Sequence, residues 1–186
     1  MIIPFHSGER EELADFLIAN IWEFHSGSGL TREMVVERVE KGFYGNAQTR
    51  TFWIVSDAGE KIGHIRIFDL SDDRSSTGAP LFDIRIAADH RGKGVGRDAV
   101  QWIADFIFTS YPWKTRIEAT TRHDNIAMRK VLRRCGFAKE AHYRQAWGIA
   151  DGRPVDCVGY ALLRGDWERK STTEVNWNDE EEWARS

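Results

Sequence analysis

Apolar residues recur along this chain in two rhythms. Spacings of three and four put Leu13, Phe16, Leu17 and Ile21 on one face, which predicts a helix over 9–20, preceded by an apolar edge-strand run over 2–5. Ser26-Gly27-Ser28-Gly29 breaks that helix, and Thr31 with Glu33, Met34, Val35 and Val39 predicts a second, capped one. Residues 51–55 and 61–70 have strand character and are joined by Ser56-Asp57-Ala58-Gly59, a hairpin connection. Ile62, Ile65 and Ile67 do not alternate strictly with His64 and Arg66, so a bulge is expected at Gly63. The polar stretch 72–80 reads as a loop and 81–87 as the next strand. Beyond a glycine-rich segment, Val95, Ala99, Ile103, Phe106 and Ile107 form one face of an amphipathic helix that Pro112 closes. A strand over 115–120, a short helix over 125–135 ended by Gly136, and two strands within 142–163 around Asp151-Gly152-Arg153-Pro154 complete the pattern.

This order predicts a mixed α/β (α+β) fold. The early hairpins argue against a purely parallel sheet, while the strand–helix–strand order after residue 81 supplies one parallel crossover. A chain of 186 residues with 41% hydrophobic content suits one core, here 1–167. The remaining 168–186 are polar, carry Asp179-Glu180-Glu181-Glu182, and read as an appendage, either a surface clamp or a frayed tail.

Charge and cysteine content narrow the function classes. A net charge of -3 and a pI near 6.1 lack the basic excess of a nucleic-acid binder. No window is apolar enough to span or enter a membrane, so a cytoplasmic location is expected. Cys135 and Cys157 lack metal spacing and read as ordinary thiols, and no metal is expected. The eight tryptophans and ten phenylalanines favour an aromatic core, but Trp22, Phe24, Trp177 and Trp183 stand beside Gly, Ser or acidic residues and fit a core less well.

The chemistry-bearing segment is Arg91-Gly92-Lys93-Gly94-Val95-Gly96-Arg97, between a strand and a helix N-terminus. Such a loop offers unpaired N–H groups at the positive end of a helix dipole, which suits a pyrophosphate. Its glycines let phosphate oxygens approach the backbone, and Arg91, Lys93 and Arg97 add charge. A glycine-tolerant turn with solvated basic side chains is the plain alternative. A P-loop would need Ser or Thr after Gly92-Lys93 and finds Gly94. A Rossmann fingerprint fits Gly92 and Gly94 but would put Arg97 at its third glycine.

The loop resembles the coenzyme loop of the GCN5-related N-acetyltransferases (GNAT). A second match runs from Asn125 to Gly136-Phe137 and is similar to that family's Asn-initiated helix, in the form used by the ribosomal-protein N-terminal acetyltransferases. Glu140, Arg144, Gly152, Asp156 and Trp167 are spaced as in that subfamily's last strands. The resemblance covers 81–167 and implies a mostly antiparallel mixed sheet flanked by helices, with a splay between the fourth and fifth strands. It also implies acetyl-CoA as cosubstrate, an acetyl group moved directly to a primary amine, and a protein N-terminus or small molecule as acceptor. A homodimer stays open, as does a coenzyme-binding regulatory module without turnover.

The resemblance places the pantetheine arm against backbone around Ile84, Arg85 and Ile86, a contact at Asn125, and phosphate contacts at Arg129 or Lys130. Trp22, Phe24, His25, Tyr44, Tyr143 and Trp147 are the expected acceptor lining, with a core role as the alternative for some. The ribosomal-protein relatives carry a serine and a carboxylate where this chain has Met128 and Trp147. The candidates left for the proton acceptor are Asp83, Glu118 and His64, acting directly or through water, with ion pairing or a local hydrogen bond as the alternative for each.

Overall fold

The computed structural model describes residues 1–25, 29–72, 78–148 and 152–177. Ser26, Gly27 and Ser28 of the expected helix breaker, Asp151 of the expected turn, the acidic run 179–182 and Trp183 lie outside them. The elements are β1 (Ile2–Pro4), α1 (Arg10–Ile18), α2 (Arg32–Glu40), β2 (Arg50–Val55), β3 (Lys61–Phe68), β4 (Leu81–Ile86), α3 (Val95–Ser110), β5 (Arg116–Arg122), α4 (Ile126–Arg134), β6 (Ala138–Trp147), β7 (Val155–Leu163) and α5 (Arg164–Arg169). Thr31 caps α2 by accepting from the Met34 N–H at 3.3 Å, and Asn125 caps α4 through Met128 N–H at 3.2 Å. None of these helices is long and apolar enough to cross a membrane.

The expected sheet is present as two antiparallel halves, ordered β1-β2-β3-β4 and β5-β7-β6. Period-two alternation on β2 sends Phe52 and Ile54 to one side and Trp53 to the other. The first side packs on α3 and α4 through Ile103, Ile107 and Leu132, and the second on α1 and α2 through Leu13, Leu17 and Val35. The bulge on β3 falls at Ile62, since Ile54 pairs with Gly63 and Val55 with Lys61. Gly63 has a different duty: a Cβ there would stand 2.6 Å from the Arg85 carbonyl, so it permits the close approach of β4.

The halves part between β4 and β5. The Glu118 N–H donates to the Pro80 carbonyl at 2.9 Å where β4 begins, and no β4–β5 ladder follows among the described residues. The Ala87 N–H donates to Ile62 on β3, so by the ladder's alternation Asp83 and Arg85 turn their backbone groups to β3, while Ile84 and Ile86 turn theirs into the gap.

β6 starts at Ala138, earlier than its apolar pattern indicates, because it is a half-exposed edge strand carrying Lys139 and Glu140. α5 has no apolar rhythm of its own. It is held by Arg164, which donates to the carbonyls of Phe108, Tyr111 and Lys114, and by Trp167 Nε1, which donates to Asp105 at 2.7 Å. Buried Asp166 accepts from the Thr173 N–H at 2.9 Å and ties the chain beyond α5 to the body.

Candidate active site

The turn into α3 is shaped by glycine. Gly92 and Gly94 have φ of 74° and 91°, the left-handed region that side chains disfavour, and Gly94 is the N-cap of α3. No Cβ contact lies within 4 Å of Gly92, so that backbone is open. Gly96 packs instead, its Cβ position being 3.5 Å from Ile86 and 3.9 Å from Val131. The first amide to be hydrogen-bonded after Arg91 is that of Arg97, which donates to Gly94 at 2.9 Å. The intervening N–H groups, Gly92 to Gly96, have no partner among the described residues and form a cradle at a helix N-terminus that fits a pyrophosphate.

The charges around it divide into committed and free. Arg91 donates to the carbonyls of Ile86 (2.8 Å) and Ile21 (3.0 Å) and lies over Trp22, so it clamps the end of β4 to the segment after α1. Arg97 is held by Asp98, and Arg129 by the Tyr160 hydroxyl and the His123 carbonyl. Lys93 and Lys130 are exposed and have no ion pair among the described residues, which leaves them to meet phosphate. Asn125 spends its amide on the α4 cap and on a hydrogen bond to Thr121 at 3.0 Å.

The gap between β4 and β5 opens into a cleft of about 220 Å³. Its walls include Phe24, His25, Phe82, Ile84, Thr120, Asn125, Met128 and Trp147. Two carbonyls on the gap side of β4 are occupied, Ile84 by His25 Nε2 at 3.0 Å and Ile86 by Arg91. The N–H groups of Ile84 and Ile86 have no hydrogen-bond partner among the described residues and are open to a ligand lying along β4.

At the floor stands Asp83. Its Oδ1 is 3.1 Å from His25 Nε2 and its Oδ2 accepts from Arg85 Nε at 3.3 Å. Burial by itself would raise this carboxyl, but the hydrogen bond from His25 and the charge of Arg85 outweigh it and hold Asp83 well below the usual range. Because Asp83 and the Ile84 carbonyl are both acceptors, His25 carries its proton on Nε2. Nδ1 is buried and has no hydrogen-bond partner among the described residues.

The family described as acetyltransferase (GNAT) domain matches residues 1–138. The chain belongs to the GNAT acetyltransferase family. It is 32% identical over 114 residues to the uncharacterized N-acetyltransferase p20 of Bacillus licheniformis, a match spanning 61% of each protein. A chimeric form of the spermidine N-acetyltransferase SpeG from Vibrio cholerae superposes with a TM-score of 0.76 at 20% identity, covering 90% of this chain and 97% of that one. A dodecameric structure of the Vibrio cholerae enzyme gives 0.74 at 20% identity, covering 92% and 97%. At that identity these likenesses establish the fold.

Within the GNAT fold the remaining candidates separate by position. His64 is on β3, 1% exposed, edge-on to Phe16 and Tyr44, with both ring nitrogens unpartnered, and it does not line the cleft. Glu118 is paired with Arg116 at 3.0 Å outside the cleft lining. Tyr44 is buried in the α1–α2 core, and Tyr143 is exposed on β6 with its ring beside Gly159. Trp22 backs the site, edge-on to His25 and 5.4 Å from the Arg85 guanidinium. Asp156 sets the angle of Trp147: it accepts from the Gln145 N–H at 2.8 Å inside the β6 bulge between Tyr143 and Trp147. Arg66, Phe68, Phe82, Thr120 and Thr121 line the cleft and carry no sequence signal, because three different strands, β3, β4 and β5, bring them together.

The buried His64 sets an acid limit on stability. Burial pushes it from 6.5 down to about 3. The unfolded chain takes up this proton first as the pH falls, so native stability is undiminished above about 6.5 and drains toward about 3. The melting temperature is expected to drop across that window in the wild type, and less in His64→Phe. A wild-type melting temperature that is flat from pH 7 to pH 4 would contradict this.

Proposed function

We propose that this protein moves an acetyl group from acetyl-CoA to a primary amine, in a complex holding both. The carrying observation is the pairing of the unpaired Gly92–Gly96 amide cradle with a strand gap that ends in a cleft lined by His25. When bound, acetyl-CoA would supply the acetyl group as a thioester, whose C–S bond breaks as the amide C–N bond forms and the coenzyme leaves as its thiol. The Gly92–Gly96 amides receive the pyrophosphate, with Lys93 and Lys130 beside it. In this reading the Ile84 N–H orients the arm, and the Ile86 N–H polarises the thioester oxygen.

The attacking amine must lose a proton. Asp83 is a poor acceptor, because its surroundings hold it ionised and already hydrogen-bonded. Its role in this account is positional: it holds His25 by accepting from Nε2, and the His25 imidazole is the cleft group proposed to take the proton from the amine. Met128 and Trp147 stand in the cleft where the ribosomal-protein relatives carry a serine and a carboxylate, and the use of His25 follows from their loss. Acceptors compatible with the cleft are small-molecule amines and protein N-termini. The kinship to the ribosomal-protein enzymes rests on the Asn125 helix and the Glu140, Asp156 and Trp167 positions.

Binding comes first in the tests. A ligand that binds only the native state raises the melting temperature by mass action, about 2.7 kcal/mol of stabilisation at a hundred times its Kd. Acetyl-CoA at millimolar concentration is expected to give a clear thermal shift. A flat response would remove the coenzyme site.

A further inference from the structure

The cleft lining carries more positive than negative charge. Arg66 and Arg85 face it from adjacent strands, and among the described lining residues Asp83 is the one carboxylate. That carboxylate is shared, one oxygen with His25 and the other with Arg85. Arg85 is 8% exposed, commits only Nε to Asp83, and leaves Nη1 buried without a partner. Arg66 reaches the Phe43 carbonyl through Nη1 at 3.4 Å, lies 3.9 Å from the Phe43 ring and 4.4 Å from the Phe68 ring, and leaves Nε buried without a partner.

A buried cation without full pairing is costly, and here the one carboxylate is shared between Arg85 and His25, while Arg66 pairs with no carboxylate among the described residues. Among the described residues the arrangement is incomplete by one negative group. We propose that the amine acceptor itself carries an anionic group, a carboxylate or phosphate, that seats against Arg66 and Arg85. This rests on the acetyl-transfer reading above. The planar guanidinium fork matches both groups, and His25 then meets the amine end of the same molecule. Spermidine, for which the similar Vibrio cholerae enzyme is named, is a polycation and would enter against like charge. If the two arginines served packing alone, with aromatic faces in place of an anion, the charge of the acceptor would not matter.

The test uses the full chain, acetyl-CoA and matched amines: β-alanine against β-alaninamide, O-phosphoethanolamine against ethanolamine, and spermidine. Release of free thiol gives kcat/KM, and the thermal shift of each amine in the presence of coenzyme A gives binding. At least one anionic amine is expected to exceed its neutral partner by about tenfold or more in kcat/KM and to give the larger shift. The two pairs separate carboxylate from phosphate preference. Arg66→Gln and Arg85→Gln should each collapse the ratio, and the wild-type ratios decide the matter even if a variant fails to fold. Ratios near one in both pairs, or spermidine as the best acceptor, would overturn the inference while leaving acetyl transfer intact. No thiol release from any amine would overturn both.

Discussion

Replacing His25 by Gln is expected to lower turnover by about a hundredfold while leaving acetyl-CoA affinity nearly unchanged. Glutamine can still donate to Asp83 and to the Ile84 carbonyl, the contacts His25 makes at 3.1 and 3.0 Å, so the local backbone keeps its support. What it lacks is a ring nitrogen able to take the proton of the amine. Asp83→Asn should also lower kcat, because a neutral amide no longer compels the Nε2–H tautomer. Supplying the acceptor at high pH, where more of the amine is already neutral, should restore part of the His25→Gln rate. Single-turnover kinetics with coenzyme binding measured in parallel separate these effects. A His25→Gln enzyme within about threefold of wild type would mean that the amine loses its proton elsewhere.

The second large effect belongs to Gly94→Val. At φ of 91° a β-branched residue is strained by about 1–3 kcal/mol, and its methyl groups would project into the cradle of unpaired amides. Coenzyme affinity should fall at least about tenfold, equivalent to about 1.4 kcal/mol. Calorimetric titration of a variant shown to be folded reads this directly. Unchanged affinity would place the pyrophosphate somewhere other than the Gly92–Gly96 loop.

The parts legible in the sequence are those with local causes. Apolar spacing marks α3, turn chemistry marks the loop before it, and capping by Thr31 and Asn125 marks two further helices, because each depends on neighbours a few residues away. The loop glycines could be assigned a purpose for the same reason. Long-range pairings were not legible. His25 and Asp83 are 58 residues apart, and only the packing of the segment after α1 against β4 brings them to 3.1 Å. Likewise Arg66 joins Asp83 and Arg85 because β3 pairs with β4 in the register Arg66 to Asp83 and His64 to Arg85. The residue types alone make Asp83 and His64 look equivalent as proton acceptors. The structure separates them: one is an ionised anchor in the cleft and the other is a buried core ring.

Charge committed to structure explains a further difference. Arg91, Arg97 and Arg129 all read as phosphate ligands when only the sequence is considered, yet each is bound to a carbonyl, a carboxylate or a hydroxyl of the protein itself. The proposed coenzyme site thus depends on backbone amides and on Lys93 and Lys130. Amides that already point at the ligand need no side-chain ordering, which fits a loop built from glycine.

The most direct test of the account is one reaction followed at both ends, with free coenzyme thiol and acetylated amine measured together from acetyl-CoA and the amine panel. The account predicts that the two appear in equal amounts with at least one primary amine, above a blank without protein. Acetyl-CoA that stabilises the fold but releases no thiol with any amine would contradict it, and would make the chain a coenzyme-binding module without turnover.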